Sequence, residues 1–218
     1  MKPRMIETNQ GIQGEFNVTI YDQMQRRLRD KGWIETPAIL KKGITSGLAL
    51  EIGPGPGYLG LEWLKQTQGT LLKGLDLSQD MIKIAERNAK EYGLSDRVEY
   101  LYGTGNRLPF DDGRFDAVFT NGSLHEWADP HNTFNEIHRV LKPGGKYCIS
   151  DLRRDMFVFI KWFLWLNTIP REIRPGLLTS INAAYTPAEI KAILQTTKLF
   201  KSQVESNLIG LLISGTKQ

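Results

Sequence analysis

The chain has 218 residues, of which 40% are hydrophobic, 10% aromatic and 24% charged, the composition of a single water-soluble globular domain with a self-sufficient core. One cysteine, Cys148, excludes a disulfide framework and a cysteine-cluster metal site, and a formal charge of +4 permits an anionic partner without requiring one. The first ten residues lack the apolar run of an export signal and no stretch of about 18 apolar residues occurs, so a cytoplasmic location is expected. Basic residues cluster at Arg26, Arg27, Arg29 and Lys31. That cluster reads either as a solvated helix face or as a nucleic-acid contact, but no stacking aromatics are interleaved with it and no dedicated nucleic-acid module is visible.

In chain order, the first 45 residues form an extension with a helix over Tyr21 to Asp30, and strand signals begin at Leu48. Leu48 to Ile52 is a short apolar strand running into a glycine turn, and Tyr58 to Gln66 has helical spacing of Leu59, Trp63 and Leu64. Leu71 to Leu75 is a second strand ending at Asp76; Ser78 caps a helix that runs to Tyr92 and is stopped by Gly93. Strands follow over Val98 to Leu101 and Phe115 to Thr120, then a helix from Pro130 to Leu141 closed by Lys142-Pro143-Gly144-Gly145, and a strand over Lys146 to Ser150. Residues 155 to 185 read as irregular and aromatic, Pro187 to Thr197 as a last helix and Leu208 to Ser214 as a closing strand. Such alternation implies right-handed crossovers and an α/β, doubly wound, mostly parallel sheet with helices on both faces. Residues 1 to 45 and 152 to 185 are expected to cover its ligand edge.

The turn Glu51-Ile52-Gly53-Pro54-Gly55-Pro56-Gly57 lies between the first strand and its helix, where ligands of open α/β sheets bind. Three alternate glycines clear space for a ligand against backbone, Pro54 and Pro56 fix their own φ, and the helix start offers unpaired N–H groups. Asp76, 23 residues beyond Gly53, can accept both hydroxyls of a ribose, which together with the turn describes a nucleoside-containing cofactor. No lysine of the triphosphate-loop type follows the turn, and no Tyr is followed four residues later by Lys, as the short-chain dehydrogenases require.

Four blocks carry a stronger signal: Leu50-Glu51-Ile52-Gly53-Pro54-Gly55-Pro56-Gly57, Gly74-Leu75-Asp76-Leu77-Ser78-Gln79-Asp80-Met81, Leu108-Pro109-Phe110-Asp111-Asp112-Gly113-Arg114-Phe115-Asp116, and Arg139-Val140-Leu141-Lys142-Pro143-Gly144-Gly145. In this order and spacing the chain resembles the class I S-adenosylmethionine-dependent methyltransferases, within them the ubiquinone/menaquinone C-methyltransferase-like (type 11) group. The resemblance covers about residues 45 to 151 and implies one domain with a seven-stranded Rossmann-like sheet. Within it, 1–45 is a helical extension, 46–151 the cofactor-binding core, 152–185 an aromatic cap on the acceptor side, and 186–218 the last helix and closing strands. It also implies S-adenosyl-L-methionine as cofactor and S-adenosyl-L-homocysteine as product. Glu51, Gly53, Pro54 and Gly55 would face the methionine part, with Gly57 giving clearance at the helix start. Asp76 would hold the ribose, Leu77 and Met81 would flank adenine, Asn121 and Gly122 would close the methionine end, and Tyr21 would close over the cofactor. Where the family has Gly-Asp-Ala after the third strand, this chain has Gly103-Thr104-Gly105, and a Thr hydroxyl accepts from the adenine amine more weakly than a carboxylate does.

Methyl transfer is an in-line displacement that can be driven by positioning, with a base required only for an acceptor that carries its proton at neutral pH. His125 and Glu126, in the loop after the fourth strand, are the candidate catalytic groups; His125 packed beneath Trp127 or capping the next helix is the alternative. His131 and His138 are too far apart in sequence to form a metal site with His125, Asp151 alone is weak evidence for one, and no metal is expected. The segment Met156 to Leu166 has one charge and five aromatics. It must be covered by the domain, a lipophilic acceptor, a second chain or a membrane surface, and peripheral membrane or dimer contact is read there. The leading expectation is methylation of a small, lipophilic or aromatic acceptor. An RNA or protein methyltransferase and a non-catalytic cofactor-binding regulator are the alternatives.

Overall fold

A computed structural model describes residues 3–7 and 11–218. Seven strands form one sheet in the order β3-β2-β1-β4-β5-β7-β6: β1 (Leu48–Ile52), β2 (Leu71–Asp76), β3 (Val98–Tyr102), β4 (Phe115–Asn121), β5 (Leu141–Leu152), β6 (Gln203–Ser206) and β7 (Gly210–Thr216). Neighbours from β3 to β5 pair in parallel, and β7 pairs antiparallel with both β5 and β6. The order reverses at β1, so the carboxyl ends of β1 and β4 open onto the crevice where a ligand seats.

Alternation of side chains along the strands gives each face its own core. On one face Leu50, Val118 and Ile149 pack with Phe134 and Ile137 of α5 (Pro130–Val140) and Ile190 and Leu194 of α8 (Pro187–Gln195). On the other, Ala49, Leu72, Ala117, Phe119 and Cys148 pack against Leu59, Trp63 and Leu64 of α3 (Tyr58–Gln66) and Ile39 of α2 (Thr36–Lys41). Cys148 is thus a small apolar core residue, its thiol pushed up to about 12 by burial. Ser78 caps α4 (Gln79–Tyr92) by accepting from Met81 N–H at 3.2 Å, and Gly93 ends it in the left-handed region at φ 66°.

The N-terminal helix α1 begins at Glu15 rather than Tyr21 and runs to Asp30. One buried carboxylate fastens it: Asp22 accepts from Tyr58 Oη at 2.8 Å, Arg87 Nη2 at 2.7 Å and Asn88 Nδ2 at 3.0 Å. The neighbouring basic cluster is used the same way, Arg26 reaching Asn88 and Glu91, and Arg29 reaching Asp30 and Tyr92. Arg26 and Arg29 therefore dock α1 onto α4, which leaves Arg27 and Lys31 as the exposed cations of the cluster.

Residues 155 to 185, expected to be irregular, contain α6 (Val158–Asn167) and α7 (Arg174–Ala183). The helix signal was hidden because α6 is apolar on its outer side as well: Val158, Phe159, Trp162, Phe163 and Leu166 are exposed while Ile160 is buried. β6 was also missed, since Gln203-Val204-Glu205-Ser206 has one apolar residue and forms the sheet's exposed edge.

Candidate active site

The cleft lies at the carboxyl ends of β1, β2 and β4. Gly53 turns with φ 65°, and a Cβ there would lie 2.8 Å from that of Ser123, so the chain passes the next loop closely only because this residue is glycine. Gly53, Pro54, Gly55 and Glu51 line one wall, Asp76, Leu77 and Met81 a second, Gly103, Thr104 and Gly105 a third, and Asn121, Gly122 and Glu126 the far end. Tyr21 closes it from α1, its hydroxyl accepting from Gln25 Nε2 at 2.9 Å and its pKa pushed up to about 12 by burial.

Two expected residues do not line the cleft. Gly57 instead marks the start of α3 at φ 85°, where a Cβ would meet the Tyr100 hydroxyl at 2.5 Å, so its part is close packing behind the turn. His125 lies just outside, behind Glu126. Conversely, Gly11, Ile12, Gln25 and Ile34 line the cleft although their sequence context gave no signal, and Ser123 and Trp127 line it from the loop after β4 that carries the catalytic candidates. Among the described residues none from 152 to 185 lines it, so the cover on this cleft comes from the N-terminal segment. Tyr185 is a core residue under the Arg4 guanidinium, 4.1 Å from its ring centre.

The acidic groups fit a cofactor that carries cations and paired hydroxyls. Glu51 is 1% exposed, its Oε2 is buried without a hydrogen-bond partner, and burial followed by the nearby Asp76 pushes its pKa up to about 8. Asp76 accepts Gly55 N–H at 3.0 Å on one oxygen and Ser78 N–H at 2.8 Å on the other, which leaves a lone pair on each for a ligand hydroxyl. Thr104, in the place of the family's carboxylate, accepts from Asn106 N–H at 3.3 Å.

At the far end, His125 is held by Asp151 from the end of β5. Nδ1 lies 2.9 Å and 3.0 Å from the two carboxylate oxygens, and the His125 backbone N–H donates to one of them at 2.8 Å. Nε2 faces Glu7 Oε2 at 3.4 Å and Glu126 Oε1 at 3.9 Å. Burial opposes charge on this imidazole, yet Asp151, Glu126 and Glu7 together raise its pKa to about 9. Burial also pushes Glu126 up to about 7, against the pull of His125. Trp127 donates its Nε1–H to Ser123 Oγ at 3.2 Å, and the cap of α5 is Asp129, not a histidine. His131 meets the Thr196 carbonyl on the surface, away from this group.

A methyltransferase domain family model matches residues 50–149, the segment that supplies every cleft wall except the N-terminal cover. The ubiquinone/menaquinone biosynthesis C-methyltransferase of Geobacter sp. (strain M21) is 30% identical over 159 residues, 69% of this chain and 67% of that protein. This chain belongs to the class I S-adenosylmethionine-dependent methyltransferases, in the ubiquinone/menaquinone C-methyltransferase-like group. The demethylmenaquinone methyltransferase of Bacteroides fragilis is 28% identical over 181 residues, 80% of this chain and 74% of that one. A putative S-adenosyl-L-methionine-dependent methyltransferase from Methanococcus maripaludis shares the fold with a TM-score of 0.74 at 23% identity, covering 100% of this chain and 97% of its own. The enzyme is therefore an S-adenosylmethionine-dependent methyltransferase. No helix among its described residues is long and apolar enough to cross a membrane.

Proposed function

We propose that the enzyme methylates a lipophilic aromatic acceptor of the quinol or phenol class, with Glu126 facing the acceptor and His125 behind it as the two groups that handle its proton. The observation that carries this reading is the junction itself: Glu126 lines the cleft and stands in front of the buried His125–Asp151 pair. When bound, S-adenosylmethionine supplies an electrophilic methyl group. Glu51, Asp76 and the turn at Gly53 and Gly55 hold and orient that cofactor, and Tyr21 and Trp127 exclude water around it. Asp151 fixes the His125 ring by accepting at Nδ1, so that Nε2 and the Glu126 carboxylate are the sites able to hold or take an acceptor proton. Apolar Ile12, Ile34 and Leu59 in the lining suit an aromatic ring better than a peptide or a nucleic-acid backbone. The relatives named as demethylmenaquinone and ubiquinone/menaquinone methyltransferases support the same acceptor class.

In this reading the chain is one domain working in the cytoplasm, with 1–45 as cover, 46–151 as core and 152–185 as an aromatic segment outside the cleft. The exposed stripe of Val158, Phe159, Trp162, Phe163 and Leu166 meets a lipid surface, from which a lipophilic acceptor arrives. Arg171, exposed, and Arg174, stacked 4.7 Å from the centre of the Trp165 ring, give the end of that stripe a cationic rim suited to anionic headgroups.

The test is turnover with methyl-labelled S-adenosylmethionine and a panel of prenylated quinols, lipophilic phenols, amines, RNA and protein. Labelled quinol or phenol supports the reading. Label in RNA or protein alone, or tight cofactor binding without any turnover across the panel, replaces it with one of the alternatives.

A further inference from the structure

We propose that Glu7, His125 and Glu126 form a binding site for one divalent transition-metal ion of the manganese or zinc class at the acceptor end of the cleft. One ligand atom from each lies within 4.8 Å of the other two. His125 Nε2 is 3.4 Å from Glu7 Oε2 and 3.9 Å from Glu126 Oε1, while an ion bound at about 2.0–2.2 Å needs its ligands about 3–3.5 Å apart. A contraction well within the reach of side-chain rotation closes the site.

Two further observations point to a ligand there. His125 is 4% exposed and both oxygens of Asp151 lie at Nδ1, while Nε2 stands between two carboxylates, 3.4 Å from Glu7 Oε2 and 3.9 Å from Glu126 Oε1. A carboxylate on one imidazole nitrogen, with the other nitrogen left for an ion, is the arrangement that orients metal-binding histidines. Glu7 Oε2 is itself buried with no hydrogen-bond partner. Buried carboxylate oxygens without donors are costly, and a cation between them removes the cost.

Glu7 is delivered by a segment fixed through main-chain contacts. Arg4 donates to the Ala183 carbonyl at 2.5 Å and to the His125 carbonyl at 2.7 Å, and Met5 N–H donates to the Asn182 carbonyl at 3.2 Å. One imidazole with two carboxylates selects manganese or zinc over magnesium, and three protein ligands leave coordination positions open. Glu126 is shared with the cleft wall, so those positions face the acceptor. Resting on the function proposed above, the ion would bind an acceptor oxygen and stabilise its anionic form, in place of the imidazole proton.

The metal site is testable without any acceptor. Full-length, chelator-stripped protein is titrated with Mn2+ by electron paramagnetic resonance and with Zn2+ against a chelating dye. S-adenosylmethionine binding is measured calorimetrically on the same sample. The expected result is one ion per chain, nitrogen coupling to bound Mn2+ from the imidazole, and affinity at least tenfold weaker in Glu7→Gln and in Glu126→Gln but unchanged in Asp111→Asn. Absence of saturable binding, absence of nitrogen coupling, or equal affinity in Glu7→Gln overturns the site. Retained cofactor binding in that sample shows that the methyltransferase reading stands when the metal reading falls.

Discussion

At the cofactor end of the cleft, Gly53, Gly55, Asp76 and Asn121 lie at the carboxyl ends of neighbouring parallel strands, each placed by a short strand and the turn that follows it. At the acceptor end, Glu7 comes from the N-terminal segment, His125 and Glu126 from a 3-10 turn after β4, and Asp151 from β5. The first end binds with backbone and two carboxylates that any nucleoside cofactor of this shape could use. The second is a coupled set of three carboxylates around one imidazole, in which no member acts alone. Binding and chemistry should therefore separate when each end is altered.

The largest effect is expected at the acceptor end. His125→Asn should lower turnover by about 10²–10³-fold, the usual worth of a positioned proton-transfer group, with cofactor affinity nearly unchanged. A parallel loss of cofactor affinity, read by calorimetry on the same variant, would break the division between the two ends. Comparable in size is the anchor of the cover: Asp22→Ala leaves Arg87, Asn88 and Tyr58 without their shared acceptor and should cost about 3–5 kcal/mol of stability, read by urea denaturation. It should also weaken cofactor binding, because Tyr21 rides on the same helix turn; unchanged affinity would show that the cover is dispensable.

Glu51 sharpens the cofactor end through pH. Its pKa, about 8 in the fold against 4.5 as the unperturbed value, means that the folded chain holds an extra proton between those limits. Stability without cofactor should then fall as pH rises from about 4.5 towards 8, and Glu51→Gln should flatten that slope. A cationic ligand beside Glu51 should expel up to about one proton at pH 7, measurable by calorimetry in buffers of different ionisation enthalpy. The smallest effect on the cleft is expected from α6. The pair Phe159→Ser and Trp162→Ser should leave cofactor affinity intact while reducing co-sedimentation with anionic vesicles, and unchanged sedimentation would remove the lipid-surface assignment.

The same contrast governs what the sequence made legible. Glu51 to Gly57, Asp76 and Asn121 could be placed because they lie at or just after strand ends, and these strands are marked by short, largely apolar runs followed by glycine or a capping residue. The partnership of His125 with Asp151 and Glu7 could not, since it depends on β4 and β5 ending side by side and on where Arg4 ties the N-terminal segment. Gly57 is legible as clearance at the helix start, but the group that needs the clearance is not, because the Tyr100 hydroxyl reaches it from another strand. α6 was hidden for a different reason: its outward face is as apolar as its inward face, so the amphipathic period that reveals helices is missing.

The most direct test of the account is calorimetric binding of S-adenosylmethionine and S-adenosylhomocysteine to the wild-type chain and to Asp76→Ala. Saturable binding of both in the wild type, weakened about 100-fold in the variant through loss of two hydrogen bonds to a charged acceptor, is the predicted result. Equal affinity in the two proteins would contradict the placement of the cofactor against β2, and with it the geometry assigned to both ends of the cleft.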